Sequence, residues 1–242
     1  MSLDQVISEL APTGVLRAAI NMGNKLLVTG RAPNGDPTGV SPSMAAAIAE
    51  RLGVPVQYVP YARPNQIADD AGTGKWDIGN IGAEPQRAEK VTFSAAYAEI
   101  EATYLVPPGS TIIDVAEVDR PGVRIAVNAG GAYELWLDRN IKHATVLRPT
   151  PGVTAWDLFV RDGLEAYAAL RPALLKDVNN LPGARILGGN FATVQQAVGT
   201  AKGNVAGARF LAAFVEEAKH SGLVARFIAQ HQVKGLSVAP PV

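Results

Sequence analysis

The 242-residue sequence contains no cysteine. This absence excludes a disulfide scaffold, a zinc site with thiolate ligands and a cysteine nucleophile. No run of about 18 apolar residues occurs, so the sequence predicts no transmembrane helix. An excess of charge is also missing, because Lys+Arg and Asp+Glu both total 22. Nucleic acids and anionic membrane surfaces call for a basic patch, so neither is expected as the main partner.

Several common catalytic and cofactor motifs are missing as well. There is no GxSxG elbow of a hydrolase and no HExxH or other metal-ligand spacing. Neither GxGxxG nor GxxxxGK[ST] occurs, so no phosphate-binding loop is indicated. The three histidines, His143, His220 and His231, are scattered and are interpreted as bystanders. We therefore expect no metal and no cofactor.

The composition is that of a folded protein, with 48% hydrophobic and 18% charged residues. The length suits one large domain or two small lobes with a sizeable core. The first residues, "MSLDQVISELAPTG", lack the basic head and continuous apolar stretch of a secretory signal. We expect a periplasmic protein if a signal has been removed and a cytoplasmic one otherwise.

Short apolar segments alternate with helical patterns along the first part of the chain. Strands are predicted at 15–20, 54–60 and 77–82, and a helix at 41–53. In that helix Ser41 is predicted as the N-cap, and Gly53 closes the far end. The alternation favours an α/β fold with mostly parallel sheets flanked by helices.

A second α/β series follows an extended segment at 101–107. Its predicted strands are 123–128, 144–149 and 164–170, with helices from Ala132 and across Val153–Val160. Another extended segment spans 190–204, and the chain is predicted to end in an amphipathic helix capped by Asn204. Two α/β units joined by two extended segments predict two lobes: lobe 1 at 1–100 and 195–242, and lobe 2 at 101–194. Ligands of such sheets gather at the carboxyl ends of strands, so a cleft site is expected.

Three features follow predicted strand ends and carry polar or anion-binding groups. Arg87 follows strand 77–82, and its guanidinium matches a carboxylate in geometry and charge; a surface arginine paired with Glu84 or Glu89 is the alternative. The glycines in "VNAGGAYEL" (127–135) expose backbone amides or form a plain strand-to-helix turn. Arg171 reaches the cleft or is a solvated residue at a helix start.

The chain resembles the family 3 solute-binding proteins of ABC importers, the two-lobed polar amino-acid type with a type II periplasmic-binding fold. The resemblance spans about Gly14 to Ile228 and is most specific from Gly74 to Tyr97. It rests on these segments: "GVLRAAIN", "GVSPSMAAAIAERLGVPVQYVP", "GKWDIGNIGAEPQRAEKVTFSAAY", "VDRPGVRIAVNAGGAYE", "LEAYAAL" and "QAVGTAKGN" with the following "LAAFVEEAKHSGLVARFIAQ".

The resemblance implies a set of ligand-binding residues. Arg87 matches the arginine that clamps a ligand carboxylate, and Gly82 and Glu84 lie on the turn that faces the ligand. Gly131 and Ala132 match the second-lobe helix start, where the family usually has hydroxyl residues. The full set expected to bind ligand is Arg87, Glu84, Gly82, Asn21, Gly131, Ala132, Tyr133 and Arg171.

Three departures from the family pattern bear on the ligand. Relatives often have an Asp for the ligand's ammonium where this chain has Leu170 followed by Arg171. The aromatic that stacks on the ligand is replaced by "NKLLV" (24–28), and the loop from Asp77 to Arg87 is shorter. Because an ammonium beside Leu170 and Arg171 lacks a counter-charge, an organic acid or diacid fits better than an ordinary α-amino acid.

The resemblance implies a monomeric, non-enzymatic binder of a small carboxylate ligand that closes by hinge bending at about 98–103 and 191–196 and serves an ABC permease. Two alternatives stay open. One is a dehydratase or lyase on the same fold, with Glu84 or Glu165 as an acid or base whose pKa burial raises. The other is a cytoplasmic ligand sensor.

Overall fold

The computed structural model describes residues 2–242 and divides the chain into two compact units. Unit 1 is formed by the chain up to Glu99 together with Gln195–Val242, and unit 2 is Ile100–Val194. Two strands, β6 (Val91–Val106) and β11 (Ala192–Ala201), run through the two boundaries. No helix among residues 2–242 has the length and apolar character needed to cross a bilayer.

Unit 1 is a sheet covered by helices. Its own strands are β1 (Leu16–Asn21), β2 (Gly30–Arg31), β3 (Pro37–Thr38), β4 (Val56–Tyr61), β5 (Ile78–Gly82) and β12 (Ser237–Val238). Its helices are α1 (Leu3–Leu10), α2 (Val40–Leu52), α3 (Pro64–Asp69), α7 (Val205–His220) and α8 (Leu223–Gln230). The strand order is β4-β1-β5-β11-β6. β1 is parallel to β4 and β5, whereas β11 is antiparallel to β5.

Unit 2 has the same architecture on a smaller scale. Its own strands are β7 (Arg124–Ala126), β8 (Thr145–Leu147), β9 (Ala166–Leu170) and β10 (Arg185–Ile186), and its helices are α4 (Ala132–Asn140), α5 (Ala155–Arg161) and α6 (Arg171–Asp177). The strand order is β6-β9-β7-β8. β7 is parallel to β8 and β9, and β6 is antiparallel to β9. The predicted α/β class with flanking helices is confirmed, with antiparallel strands added by β6 and β11.

Strand β9 shows why the continuous apolar segments of this chain form central strands. Ala166 and Ala168 pack into one buried cluster with Leu137 of α4, whereas Tyr167 packs into another with Phe159 of α5. Successive side chains of a strand point to opposite faces, so a strand covered on both faces has no polar position. The run "AYAAL" is therefore a strand between two layers of helices.

The start of α2 differs from the sequence prediction. The N-cap is Gly39, with φ 140°, and Ser41 is the second helical residue. A Cβ at position 39 would lie 2.3 Å from the carbonyl oxygen of Leu27, so only glycine fits there. Ser41 instead hydrogen-bonds the Tyr97 hydroxyl at 2.9 Å, and its prediction as a cap is wrong. The predicted closure at Gly53 is confirmed by its left-handed φ of 71°.

The C-terminal part also differs in one respect from the prediction. α7 begins after Asn204, and its predicted apolar residues Leu211, Phe214, Val215 and Ala218 are buried. The Asn204 side chain does not cap the helix; it donates to Thr200 Oγ1 at 2.8 Å. The chain does not end in α7, since α8 and β12 follow it.

Candidate functional site

Arg87 lies in a short 3₁₀ helix, Arg87–Glu89, that follows the end of β5. Its side chain is buried, with 4% of the residue exposed. Nη1 donates to the carbonyl oxygen of Gly82 at 2.8 Å, and Nε and Nη2 donate to Asn65 Oδ1 at 3.2 and 3.1 Å. The two acceptors, Asn65 Oδ1 and the Gly82 carbonyl, are neutral groups that fix the orientation of the guanidinium.

Asn65 was not predicted from the sequence. It is the second residue of α3, a helix that begins at Pro64, and its side chain holds Arg87 across 22 positions of sequence. An asparagine in the first turn of a helix is common for local reasons. Nothing in the sequence therefore distinguishes Asn65 from an ordinary residue at a helix start.

The predicted residues of unit 1 lie at one edge of its sheet. β1 and β5 are parallel neighbours with Ile20 opposite Asn80, so Asn21 and Gly82 end their strands at the same edge. Asn21 Oδ1 accepts the backbone amide of Gly23 at 3.1 Å, which closes the turn after β1. Glu84, in the turn between Gly82 and Arg87, accepts the Ala88 amide through its carbonyl at 2.9 Å. The structure thus brings Asn21, Gly82, Glu84 and Arg87 to the carboxyl ends of adjacent strands.

A buried polar group behind this edge was also missed. Asn80 in β5 donates to the carbonyl of Ser41 at 3.4 Å, and its Oδ1 is buried without a partner among residues 2–242. Burial raises the pKa of Tyr97 to about 12, so its hydroxyl stays neutral beside Ser41. In the sequence Asn80 is the single polar residue of an apolar strand. This pattern indicates a buried polar contact but does not identify its partner.

In unit 2 the glycine turn between β7 and α4 is held by a carboxylate of the chain itself. Glu134 lies in the first turn of α4 and is buried, with 4% of the residue exposed. Its Oε2 accepts the backbone amide of Gly130 at 3.0 Å, and its Oε1 accepts Nε of Arg148 at 2.7 Å. A negative charge here is favourable, because the helix N-terminus carries partial positive charge. The Gly130 amide therefore already serves an internal anion.

The predicted residues Gly131, Ala132 and Tyr133 lie at the N-terminus of α4, where Gly131 is the N-cap. A Cβ at position 131 would lie 2.8 Å from Cε1 of the Tyr133 ring, so the ring covers the place of a side chain. Burial raises the pKa of Tyr133 to about 12, and the Glu134 charge acts in the same direction. A side chain at position 131 would therefore have to displace the Tyr133 ring.

Arg171 is the first residue of α6 and is engaged within unit 2. Its Nε donates to Glu101 Oε2 at 2.5 Å, and Nη2 contacts the carbonyl of Gly189. The sequence prediction offered a cleft residue or a solvated residue at a helix start; Arg171 does lie at a helix start, and Glu101 supplies its counter-charge. Leu170 itself ends β9 opposite Ala102 of β6.

Glu165 is a candidate acid or base, and its pKa is shifted in the opposite direction from the one expected. Both of its carboxylate oxygens accept from Arg124, at 2.8 and 2.9 Å. The Arg124 guanidinium lowers the pKa of the Glu165 carboxyl, and burial opposes this only in part. The prediction of a pKa raised by burial is wrong for this residue. Among residues 2–242 no cluster of three or more potential metal ligands is present.

The model of a family described as bacterial extracellular solute-binding proteins, family 3, matches residues 24–233. Cyclohexadienyl dehydratase of Pseudomonas aeruginosa is 29% identical over 182 residues, a match that covers 69% of this chain and 67% of that protein.

Solved structures share the fold over nearly the whole chain. The solute receptor for L-cysteine of Neisseria gonorrhoeae has a TM-score of 0.73 at 20% identity, covering 96% of this chain and 99% of that one. An ancestral amino acid-binding protein, described as a precursor of cyclohexadienyl dehydratase, has a TM-score of 0.72 at 22% identity with coverages of 96% and 99%. An L-arginine-bound amino acid ABC transporter substrate-binding protein of Streptococcus pneumoniae has a TM-score of 0.69 at 18% identity, with coverages of 93% and 98%. At these identities the likeness shows the fold alone.

Proposed function

Because this chain belongs to the bacterial extracellular solute-binding proteins of family 3, we propose that it captures a small carboxylate-bearing solute for an ABC importer. The observation that carries this proposal is the orientation of Arg87. A buried guanidinium is held by Asn65 and the Gly82 carbonyl at the carboxyl ends of β1 and β5. A guanidinium fixed in advance loses little rotational freedom when a carboxylate binds, and its planar fork matches both oxygens.

The neighbouring groups leave space for a solute beside Arg87. Gly82 ends its strand without a side chain, so a ligand can approach the backbone there closely. Asn21 ends the adjacent strand, and its side-chain oxygen accepts the Gly23 amide in the turn that follows. Glu84 is the carboxylate of this turn and is the group expected to meet a cationic part of the solute, if one is present.

The residues of unit 2 favour an organic acid or diacid over an ordinary α-amino acid. Leu170 occupies the place where relatives often have a carboxylate for the ligand's ammonium, and Glu101 is already bonded to Arg171. An ammonium desolvated beside Leu170 would lack a counter-charge. The structural neighbours whose descriptions name L-cysteine or L-arginine keep amino acids among the compounds to test.

Export, a permease partner and a monomeric state are part of the same proposal. The family is described as extracellular, and the Streptococcus pneumoniae neighbour is described as an ABC transporter component. We propose that the loaded protein is read by an integral-membrane permease and that it acts without a cofactor. Coexpression with a permease encoded near its gene, followed by co-purification with and without solute, tests the partner.

The binding proposal is tested by a thermal-shift screen of dicarboxylic acids, aromatic acids and α-amino acids, since a ligand that binds only the native state raises the melting temperature. For the acid that gives the largest shift, Arg87→Ala is expected to reduce affinity by at least tenfold, about 1.4 kcal/mol. Arg87→Lys keeps the positive charge but loses the planar two-pronged geometry. Its affinity is expected to lie between that of the wild type and that of Arg87→Ala.

Arg51→Ala is the matched control, because Arg51 is an exposed arginine of unit 1 that pairs with Glu217. Circular dichroism of each variant shows whether the fold is intact. Unchanged affinity in folded Arg87→Ala, or an equal loss in Arg51→Ala, would remove Arg87 from the site. A screen in which no carboxylate raises the melting temperature would reject the proposal as a whole.

A second candidate function is a dehydratase, and the relative at 29% identity is the observation that favours it. Its name indicates loss of water from a cyclohexadienyl ring. Glu165 does not supply a raised-pKa acid, so Glu84 is the carboxylate to test in this role. Incubation with a carboxylated cyclohexadiene, with mass spectrometry for the dehydrated product, separates the two functions, because a binder returns the compound unchanged.

A further inference from the structure

Unit 2 contains a cavity that none of the predicted ligand-binding residues line. Its volume is about 340 Å³. Its walls come from β6, from the 3₁₀ helix Val115–Glu117, from the C-terminal end of α4 and from the segment just before β11. Pockets of a few hundred Å³ are large enough for a small organic molecule.

One wall of this cavity is aromatic. The ring of Phe191 lies between two others, with its centroid 4.5 Å from that of Tyr104 and 5.2 Å from that of Trp136. Tyr104 is buried, while Trp136 and Phe191 are half-buried. Aromatic faces carry a negative electrostatic potential and attract a cation placed over them.

A tyrosine hydroxyl in this wall has no hydrogen-bond partner among the residues that the structure describes. Only 1% of Tyr104 is exposed, and its hydroxyl makes no hydrogen bond within residues 2–242. The oxygen is not one of the enclosed polar atoms that lack a partner, so it is open to the cavity that Tyr104 lines. Burial, together with the negative charge of Asp119, raises the pKa of Tyr104, so the phenol stays neutral and its oxygen can accept a hydrogen bond.

The charges on the lining are of one sign. Asp114 and Asp119 line the cavity, and among residues 2–242 no lysine, arginine or histidine side chain does. Asp119 Oδ1 accepts the amides of Lys142, His143 and Ala144, at 3.1, 2.7 and 2.9 Å. Its Oδ2 accepts only the Lys142 amide, at 3.0 Å, within the described chain and so retains acceptor capacity.

The state of Asp119 suits a cationic ligand. Burial tends to raise its pKa, but hydrogen bonds from the Ala144, His143 and Lys142 amides outweigh it and the pKa is lowered. The carboxylate is therefore charged at neutral pH. It is also fixed in position by the loop that follows α4, so it needs no rearrangement to meet a ligand.

We propose that this cavity binds a small primary alkylammonium ion. The ammonium group donates to the Tyr104 hydroxyl oxygen and to Asp119 Oδ2, and its alkyl part packs on Trp136 and Phe191. Asp114, whose Oδ1 accepts the Ala116 amide at 2.8 Å, adds negative potential at the exposed side. This site lies within unit 2 alone and does not depend on the function proposed for Arg87.

The test follows tryptophan fluorescence in a Trp156→Phe background, because Trp156 belongs to the other aromatic cluster of unit 2. Trp136 then reports on the cavity, and Trp76, buried in a core cluster of unit 1, contributes a constant background. The probe is n-butylammonium at neutral pH, and 1-butanol is its uncharged counterpart. We expect a saturable change with the ammonium and none with the alcohol at equal concentration. Asp119→Asn and Tyr104→Phe are each expected to weaken binding by about tenfold, since the first removes the negative charge and the second removes an acceptor for the ammonium.

Asp162→Asn is the matched control, since Asp162 is a carboxylate of unit 2 that pairs with Arg161 and does not line the cavity. Retained binding in Asp162→Asn, together with loss in the two cavity variants, supports the site. An equal response to 1-butanol, the absence of saturation or an equal loss in Asp162→Asn would overturn the proposal. Because Tyr104→Phe removes a single oxygen from an unbonded hydroxyl, it keeps the test informative even if Asp119→Asn does not fold.

Discussion

Two nitrogen atoms of the Arg87 guanidinium, Nε and Nη2, donate to one oxygen, Asn65 Oδ1, at 3.2 and 3.1 Å. This amide oxygen orients the guanidinium and itself carries no charge. Replacing the amide by a carboxylate of the same shape, in Asn65→Asp, is expected to place a negative charge against Nε and Nη2 of Arg87 that competes with a bound carboxylate. We expect the affinity for an anionic solute to fall by at least tenfold, about 1.4 kcal/mol.

Asn65→Ala is the control for this prediction, because it removes the orienting oxygen and adds no charge. Its affinity is expected to fall less than that of Asn65→Asp, and calorimetric titration of both measures the difference. An Asn65→Asp variant that binds the solute as tightly as the wild type would show that the solute does not depend on the Arg87 charge.

Leu170 offers a test of the ligand class. Leu170→Asp is expected to increase affinity for free α-amino acids by about tenfold, because a carboxylate near the ammonium supplies the missing counter-charge. Leu170 is also the N-cap of α6, a position that asparagine and aspartate favour, so the fold should tolerate the change. Leu170→Asn caps the helix equally without charge and is the control. Titration with an amino acid and with its deaminated analogue checks the result, and no gain for the amino acid would reject this account of position 170.

Gly131 and Tyr133 provide a test of the turn before α4. The backbone at Gly131 has φ −83°, which any residue adopts. A glycine is therefore needed only because the Tyr133 ring occupies the position of a Cβ. In Gly131→Ala the new Cβ meets the Tyr133 ring, and we expect the free energy of unfolding to fall by about 1 kcal/mol. In a Tyr133→Ala background, Gly131→Ala should leave the free energy of unfolding unchanged. Chemical denaturation of the four proteins measures the coupling, and an equal cost in both backgrounds would contradict the contact.

The sequence predicted the elements that depend on apolar periodicity. The strand "AYAAL" and the buried face of α7 are such elements, because burial alone decides them. Ser41 shows the limit of local reasoning. A serine before a proline is a good N-cap, but the close approach of the Leu27 carbonyl demands a glycine at position 39, and this contact is not visible in the local sequence.

The candidate site was predictable only in part. Gly82 ends β5 and Arg87 follows it, and strand order places Asn21 at the same edge. Asn65 was missed because it approaches Arg87 from a different helix. The pairing of Arg171 with Glu101 was missed for the same reason, since it joins residues 70 positions apart. Side-chain partners that are distant in sequence depend on tertiary packing and have no local pattern.

The ion pair between Glu165 and Arg124 predicts a specific pH dependence. Because Arg124 lowers the pKa of Glu165 in the folded state, the unfolded chain binds a proton more readily than the folded one as pH falls. The stabilisation by Glu165 is therefore present above its unfolded pKa, about 4.3, and is lost as pH falls through the lowered folded value. Glu165→Gln should be slightly less stable at neutral pH, by less than about 1 kcal/mol since the pair is partly exposed, and should lose less stability in acid. Urea denaturation from pH 7 to pH 3, with exposed Glu50→Gln on α2 as the control, measures this, and an acid slope in Glu165→Gln equal to that of the wild type would contradict the lowered pKa.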